Sequence, residues 1–342
     1  MLKNKGYEVH VAASNDMDLS VDVVKHIVPI ARNPLKFTNI RAYRELKKLV
    51  DSEKFDITHC HTPMGAALTR VAALKARKNG TKVIYTAHGF HFYKGAPPIN
   101  WIIYYPIEKF CSYFTDILIT INKEDYERAK KKFHAKRIEY VKGVGIDLDK
   151  FGNVDIDKSQ KRKELGLSNT DIVVLSVGEL TKRKNHETVI RAISAIDNPN
   201  IKYIICGCGV LERKLKDLIK ELRLENQVFL LGYRNDIADI STVSDISILP
   251  SHQEGLAVAL MEAMARGLPV VCSNIRGNTD LISDGKGGFL VECNDIKGLA
   301  EKITILSENR ELMTKMGRVN LNRIKKFGLE IIKKEMEKIY FN

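Results

Sequence analysis

The sequence predicts an α/β protein of two doubly wound, Rossmann-like domains. Three observations carry that prediction. Short apolar runs alternate with amphipathic stretches along nearly all of the 342 residues. The βα units recur about every 25 residues, as parallel sheets require. A polar segment without strand pattern, at 143–171, separates two such halves.

In the first half, strands are expected at 8–13, 56–60, 82–86, 116–121 and 138–142, with helices at 39–51, 64–78 and 123–133. In the second, strands are expected at 172–177, 201–206, 228–231, 246–249, 269–272 and 288–291. Helices belong there at 186–196, 210–222 and 257–266. Runs such as IVVLSV and YIIC show little alternation, as strands covered by helices on both faces should. The expected domains are 1–150 and 151–326, with a C-terminal helix at 327–342 packing back on the first. Ligands of such sheets bind at the carboxyl ends of the strands, so a site in the cleft between the domains is expected.

The opening residues MLKNKG read as the last turn of a helix, with Gly6 in the helix-stop position. A doubly wound domain should place a strand and a glycine-rich loop before that helix. A truncated first domain, short by roughly 25 residues of a βαβ unit of 30 or more, is therefore expected.

Composition narrows the function. Hydrophobic residues make up 44% and charged residues 28%, which excludes a disordered or fibrous chain. The longest apolar run is the six residues 256–261, far below the roughly 20 of a membrane-spanning helix. The first ten residues lack the apolar centre of a signal peptide. A cytoplasmic protein without a transmembrane anchor is expected, either free or peripheral on the inner face of the cell membrane. Six cysteines without a CxxC pair point to reduced, buried thiols. Lysine and arginine number 55 against 42 acidic residues, a net charge of +13. That charge favours a polyanionic partner. With no zinc-finger, RNA-binding or basic-zipper pattern, an anionic membrane surface or a phosphate-bearing substrate is expected rather than nucleic acid.

The most informative stretch is PSHQEGLAVALMEAMA at 250–265. Two glutamates eight apart mean little alone, since Glu45/Glu53 and Glu179/Glu187 share the spacing. Here, however, Glu254 follows a strand, precedes a glycine and opens a small-residue helix, whose free amides suit a diphosphate. A carboxylate beside phosphates must accept hydroxyl hydrogens from a sugar, the role expected of Glu254, with Glu262 further along for ribose. In VGELTKRKNH, the cations Lys182, Arg183 and Lys184 follow a strand end and suit a departing diphosphate. Gly207 and Gly209 are a fragment of a dinucleotide fingerprint whose missing third glycine argues against a nicotinamide cofactor. Either close approach to a nucleotide or a tight turn explains them.

His59 and His61 flank one strand end, and His88 and His91 lie just past another. A cation clamp makes a metal unnecessary, so none is expected. Asp155 and Asp157 match DxD but follow no strand and are discounted. The aromatic stretch at 96–114, with Trp101, suits either bilayer headgroups or a core helix.

Taken together, HCHTPMGAALTRVAALKARKNGTKVIYTAHGFHFYKGAP, LITINKEDYERAK, VGELTKRKNHETVI, ICGCGVLERKL, VFLLGYRNDI and LPSHQEGLAVALMEAMARGLPVV resemble the family 4 retaining glycosyltransferases of GT-B fold. The likeness is greatest to bacterial exopolysaccharide and capsule enzymes of the EpsD type. It implies that Glu254 contacts the donor sugar and Glu262 the ribose, with Gly255, Leu256, Ala257 and Val258 presenting backbone amides. Lys184 matches the family's diphosphate-binding lysine. The family's arginine position holds Glu179, so either Lys182 or Arg183 replaces that cation or Glu179 is structural. Gly207, Tyr233 and Arg234 fall near the nucleotide. His88 matches the histidine near sugar and acceptor, with His61 and His91 as acceptor-side candidates.

The implied activity is transfer of an N-acetylhexosamine or related sugar from a UDP-sugar. The implied acceptor is a lipid-linked or growing saccharide, and no cofactor is needed beyond the donor substrate. A UDP-GlcNAc 2-epimerase of the same fold and an inactive nucleotide-sugar-binding protein are the alternatives.

Overall fold

The computed structural model describes residues 1–15, 22–152 and 154–341. The chain divides into two compact units: Met1–Val141 with Lys333–Asn342, and Lys142–Ile332.

In the first unit, β1 (His10–Ala13) and β2 (Val24–Ile27) form a two-stranded parallel sheet. A second sheet joins β3 (Ile57–Cys60), β4 (Lys82–Ala87), β5 (Ile117–Thr120) and β6 (Arg137–Tyr140) in chain order, all parallel. Its core gathers Tyr85, Leu118, Phe90, Phe92 and Phe133. A buried polar knot ties the helices beneath it. Arg70, in the Pro63–Ala72 helix, reaches Glu108, in the Pro98–Ser112 helix, at 2.7 Å. The Tyr85 hydroxyl donates to the other oxygen of Glu108 at 2.9 Å, and the Arg70 guanidinium lies over the Tyr85 ring.

The second unit holds a six-stranded parallel sheet of β7 (Ile172–Val177), β8 (Ile201–Cys206), β9 (Val228–Leu230), β10 (Ile246–Leu249), β11 (Val270–Ser273) and β12 (Gly288–Val291). The strand order is β12-β11-β10-β7-β8-β9. The chain thus winds outward one way from β7 and the other way from β10. Such a reversal opens a crevice at the carboxyl ends of the two central strands, where ligands of these sheets bind. The β7 and β10 strands are buried almost throughout, which explains their unbroken apolar runs.

Strand expectations agree with the structure to within two residues at each end, with one omission. That omission is β2, sequence VKHI, which is mostly exposed and therefore gives no apolar signal. The helix expected at 64–78 breaks at Ala73 into Pro63–Ala72 and Leu74–Lys78. Residues 143–171 are not a bare linker. They contain helices Leu148–Gly152 and Lys158–Glu164, which belong to the second unit. Arg266 donates to the Phe151 carbonyl, and Arg162 donates to the carbonyls of Ser168, Asp171 and Val243. Helices Ile237–Thr242, Asn278–Leu281, Ile296–Glu308 and Arg310–Ile324 are additional to those expected.

The units change after Val141 and after Ile332. The last helix, Leu329–Phe341, has its end in the first unit, where Lys82 Nζ donates to the Tyr340 carbonyl at 3.0 Å. At the other terminus a short 3-10 turn, Lys3–Lys5, stops at Gly6 with φ of 85°. Among the described residues, no helix is long and apolar enough to cross a membrane.

Candidate active site

Two loops meet at the crevice between β7 and β10. The loop after β7 runs from Gly178 to Asn185, and the loop after β10 from Pro250 to Ala257. His252 N–H donates to the Arg183 carbonyl at 2.8 Å, and the Asn185 amide reaches the Pro250 carbonyl at 3.2 Å. Asn185 adopts left-handed backbone (φ 56°) at the start of the His186–Ala195 helix, a conformation Asn tolerates better than most residues.

That stapling brings Lys184 and Glu254 together. Lys184 Nζ lies 2.8 Å from Glu254 Oε1, and Arg183 Nη1 lies 3.0 Å from the same oxygen. The Lys184 stem runs alongside Gly178, where a Cβ would stand 3.1 Å from its Cδ. Glu254 is buried, so its charge requires those cations. Of the three neighbouring cations, Lys182 and Arg183 are exposed and Lys184 is half-buried; the acidic Glu179 is exposed too.

Past Glu254, the side chains of Leu256 and Ala257 are buried. Within 255–258, Leu256 and Ala257 thus turn their side chains into the protein, whereas Val258 does not. Leu256 packs on Gly143, where a Cβ would meet it at 2.6 Å. The helix that follows is Val258–Ala265, one residue later than expected, with Val258 exposed. Glu262 lies on it, half-buried, and burial raises its carboxyl pKa while Lys150 opposes the rise. No hydrogen bond to the Glu262 carboxylate is present among the described residues. The buried Ser251 hydroxyl is likewise without a partner there.

Gly207 and Gly209 have a structural use. A Cβ on Gly207 would stand 2.1 Å from the Gly178 carbonyl oxygen, and one on Gly209 would stand 2.5 Å from that of Leu180. The close approach they permit is between the loops after β7 and β8. Tyr233 is 79% exposed. Arg234 is occupied by Asp236 at 2.6 Å and Glu164 at 3.0 Å.

In the first unit, three of the four candidate histidines form a cluster at the ends of β3 and β4. His61 Nδ1 lies 3.1 Å from His88 Nε2, and the His59 and His61 rings are 4.2 Å apart. His91 is not part of it; its ring stacks on Tyr104 at 4.4 Å. Burial is the main cause lowering all three pKa values, and histidine neighbours add to it for His59 and His61. His59 falls to about 3 and His61 to about 4. The cluster is neutral at pH 7. Among the described residues, no group of three or more His, Cys, Asp or Glu is arranged to hold a metal ion.

The pairing of Glu254 with both cations, and the tie from Asn185 to the loop after β10, were not legible in sequence. Each joins loops about 70 residues apart, and only the strand order makes those loops neighbours.

The aromatic stretch divides between its two readings. Trp101 is half-buried against Phe92 and Tyr105, with the Arg128 guanidinium 5.0 Å over its ring. The opposite side of the Pro98–Ser112 helix exposes Ile99, Ile102, Ile103 and Phe110.

Comparison with known proteins matches both halves to described families. Residues 157–322 match "Glycosyl transferases group 1", and residues 1–122 match "Glycosyl transferase 4-like". The chain is 37% identical to "Putative glycosyltransferase EpsD" of Bacillus subtilis, over 99% of this chain and 90% of that one. It is 33% identical to the UDP-Gal:alpha-D-GlcNAc-diphosphoundecaprenol alpha-1,3-galactosyltransferase of Escherichia coli, over 83% of this chain and 74% of the other. In fold it is similar to Anabaena HepE, solved in complex with UDP-glucose, with a TM-score of 0.79 and 20% identity over 93% of this chain and 86% of that one.

Proposed function

The chain belongs to the glycosyltransferases of group 1 and 4-like type, with the GT-B fold, and we propose that it moves an N-acetylhexosamine from a UDP-sugar to a lipid-diphosphate-linked saccharide in exopolysaccharide or capsule assembly. The observation that carries this reading is the meeting of Lys184, Arg183 and Glu254 at the switch point of the second sheet. A nucleotide diphosphate there would draw both cations to its phosphates. Glu254, released from them, would accept hydroxyl hydrogens from the donor sugar. Glu262, which has no hydrogen bond of its own among the described residues, would accept those of the ribose. The amides of Gly255 to Val258 would complete the cradle.

Anomeric configuration is retained on this reading without a covalent enzyme intermediate. The bond from the anomeric carbon to the UDP phosphate oxygen breaks, its electron pair leaving with UDP. The acceptor hydroxyl adds to the same face of the oxocarbenium-like centre, and its proton passes to the departing phosphate oxygen. Lys184 and the amides stabilise that developing charge. His88 positions sugar or acceptor, and no metal or cofactor takes part.

The similar proteins support the choice of partners. HepE was solved with UDP-glucose, and the E. coli relative is named for a UDP-sugar donor and a diphosphoundecaprenol acceptor. A lipid-linked acceptor calls for a membrane-facing surface. The apolar stripe Ile99, Ile102, Ile103 and Phe110, in a unit that also carries the basic Lys130, Lys131 and Lys132 in the last turn of the Lys123–Lys132 helix, has the chemistry of an anionic bilayer contact.

A thermal-shift screen tests the donor assignment. UDP and UDP-sugars at about 100 times Kd should stabilise the protein by about 2.7 kcal/mol. Stabilisation by adenine or guanine nucleotides alone would refute the UDP assignment.

A further inference from the structure

The histidine cluster of the first unit continues beyond His61 to the end of the chain. His59, on β3, is held at both ring nitrogens. Nδ1 lies 2.5 Å from the Tyr340 hydroxyl, and Nε2 lies 2.8 Å from Thr86 Oγ1 on β4. Tyr340 sits on the last turns of the Leu329–Phe341 helix, 281 residues away in sequence. Its own ring lies edge-on to that of His59 at 5.5 Å. Held at both nitrogens, the His59 ring has a fixed plane, while the two hydroxyls, each able to donate or accept, suit either tautomer. The His61 ring leans on that fixed plane, and His61 Nδ1 meets His88 Nε2. Between two neutral rings only one can carry the shared hydrogen. The tautomer of His61 therefore dictates that of His88.

We propose that Tyr340 is a positioning residue for His88. Through its hydrogen bond it anchors the ring plane of His59, on which the His61 ring rests, and His61 in turn sets the rotamer that His88 presents to the substrate. The inference rests on the reading of His88 given above, and it adds residues that the sequence motifs do not mark: His59, Thr86 and Tyr340. It also gives the C-terminal helix a role in chemistry as well as packing. That helix is separately held by the contact of the Tyr340 carbonyl with Lys82 and by Phe341 against Tyr7. Removing one hydroxyl therefore need not detach it.

Tyr340→Phe in the full-length chain, alone and combined with His88→Ala, tests this. The hydroxyl deletion should lower acceptor-dependent kcat about fivefold, the rate equivalent of one neutral hydrogen bond. KM for the nucleotide sugar should stay as it was, and the melting temperature should fall by no more than a few degrees, as loss of one hydrogen bond requires. In the His88→Ala background the same change should cost nothing further, because its effect passes through His88. Nitrogen-15 NMR of the histidine rings should show shifted ring signals for His61 and His88 in Tyr340→Phe, as their orientation changes. An equal loss of kcat in both backgrounds, or no loss together with unchanged ring signals, would overturn the proposal. Should His88→Ala itself leave transfer intact, the assignment of His88 to the reaction falls. The ring signals then judge the anchor alone: altered signals uphold it, and unchanged signals reject it.

Discussion

Lys184 Nζ and Glu254 Oε1 stand 2.8 Å apart, although 70 residues separate them in sequence. On the proposed reading, the contact holds a cation for phosphate and a carboxylate for sugar hydroxyls in one ion pair. Ligand binding must exchange that pair for contacts to the donor. Lys184→Ala should lower transfer by 10²-fold or more, roughly the loss from removing one preorganised contact to a developing charge. The fold should survive, since Arg183 remains beside Glu254. Steady-state rates and circular dichroism on the same sample check both halves of this expectation.

Arg183→Ala should cost less. Its side chain is 42% exposed against 11% for Lys184, so solvent screens its charge more strongly. If the two variants lose equal activity, the two cations share the phosphate role evenly and the ranking is wrong.

Glu262 supplies a pH prediction. Burial raises its pKa, so its proton is lost at higher pH than for an ordinary glutamate. On the proposed reading, ribose hydroxyls donate more strongly to the ionised form, and bound UDP should pull the pKa down. UDP affinity is then full above the raised pKa and declines as pH falls through it. Glu262→Gln should weaken UDP binding about tenfold, the effect of losing a hydrogen bond to a charged group, and flatten that acid decline. Titration calorimetry between pH 5 and 8 reads both. Unchanged UDP affinity in the variant would remove Glu262 from the ribose site.

How legible this site was depended on how local its signals are. The loop and helix at 250–265 could be read because strand, glycine and small-residue helix follow one another directly in the chain. The cation cluster at 182–184 could be read from its place after a strand end, and Lys184 within it only from its match to the family's lysine. The occupation of Arg234 by Asp236 and Glu164 was hidden, because Glu164 comes from a helix inside what looked like a linker. The contact of His59 with Tyr340 was hidden for the same reason at greater length: nothing within either segment refers to the other. The β2 strand failed differently, since VKHI is mostly solvated and carries no periodic burial.

The buried knot of Arg70, Glu108 and Tyr85 predicts a stability effect. Arg70 and Glu108 are 1% and 5% exposed. Glu108→Ala leaves a buried guanidinium unpaired and the Tyr85 hydroxyl without its acceptor, and should destabilise the first unit by about 3–5 kcal/mol. Replacing Arg70 and Glu108 together by apolar residues of like size should recover most of that loss. Denaturant melts of the single and double variants measure it. A double variant no better than the single one would contradict the desolvation argument.

The exposed stripe on the Pro98–Ser112 helix predicts membrane behaviour. Anionic vesicles should bind the protein and release it as salt rises. Ile102→Glu, at a position 70% exposed, should abolish binding while leaving the core untouched. Trp101 packs inward, so its fluorescence should change little, whereas a tryptophan placed at Phe110 should shift to the blue. Equal binding to neutral and anionic vesicles would rule the electrostatic part out.

The most direct measurement follows the fate of a labelled UDP-N-acetylhexosamine with and without a lipid-diphosphate saccharide acceptor. The account predicts UDP release that depends on the acceptor, with label appearing in the lipid fraction through a linkage of retained configuration. Conversion of the donor to a second UDP-sugar in the absence of acceptor, or tight binding with no turnover under either condition, would contradict it.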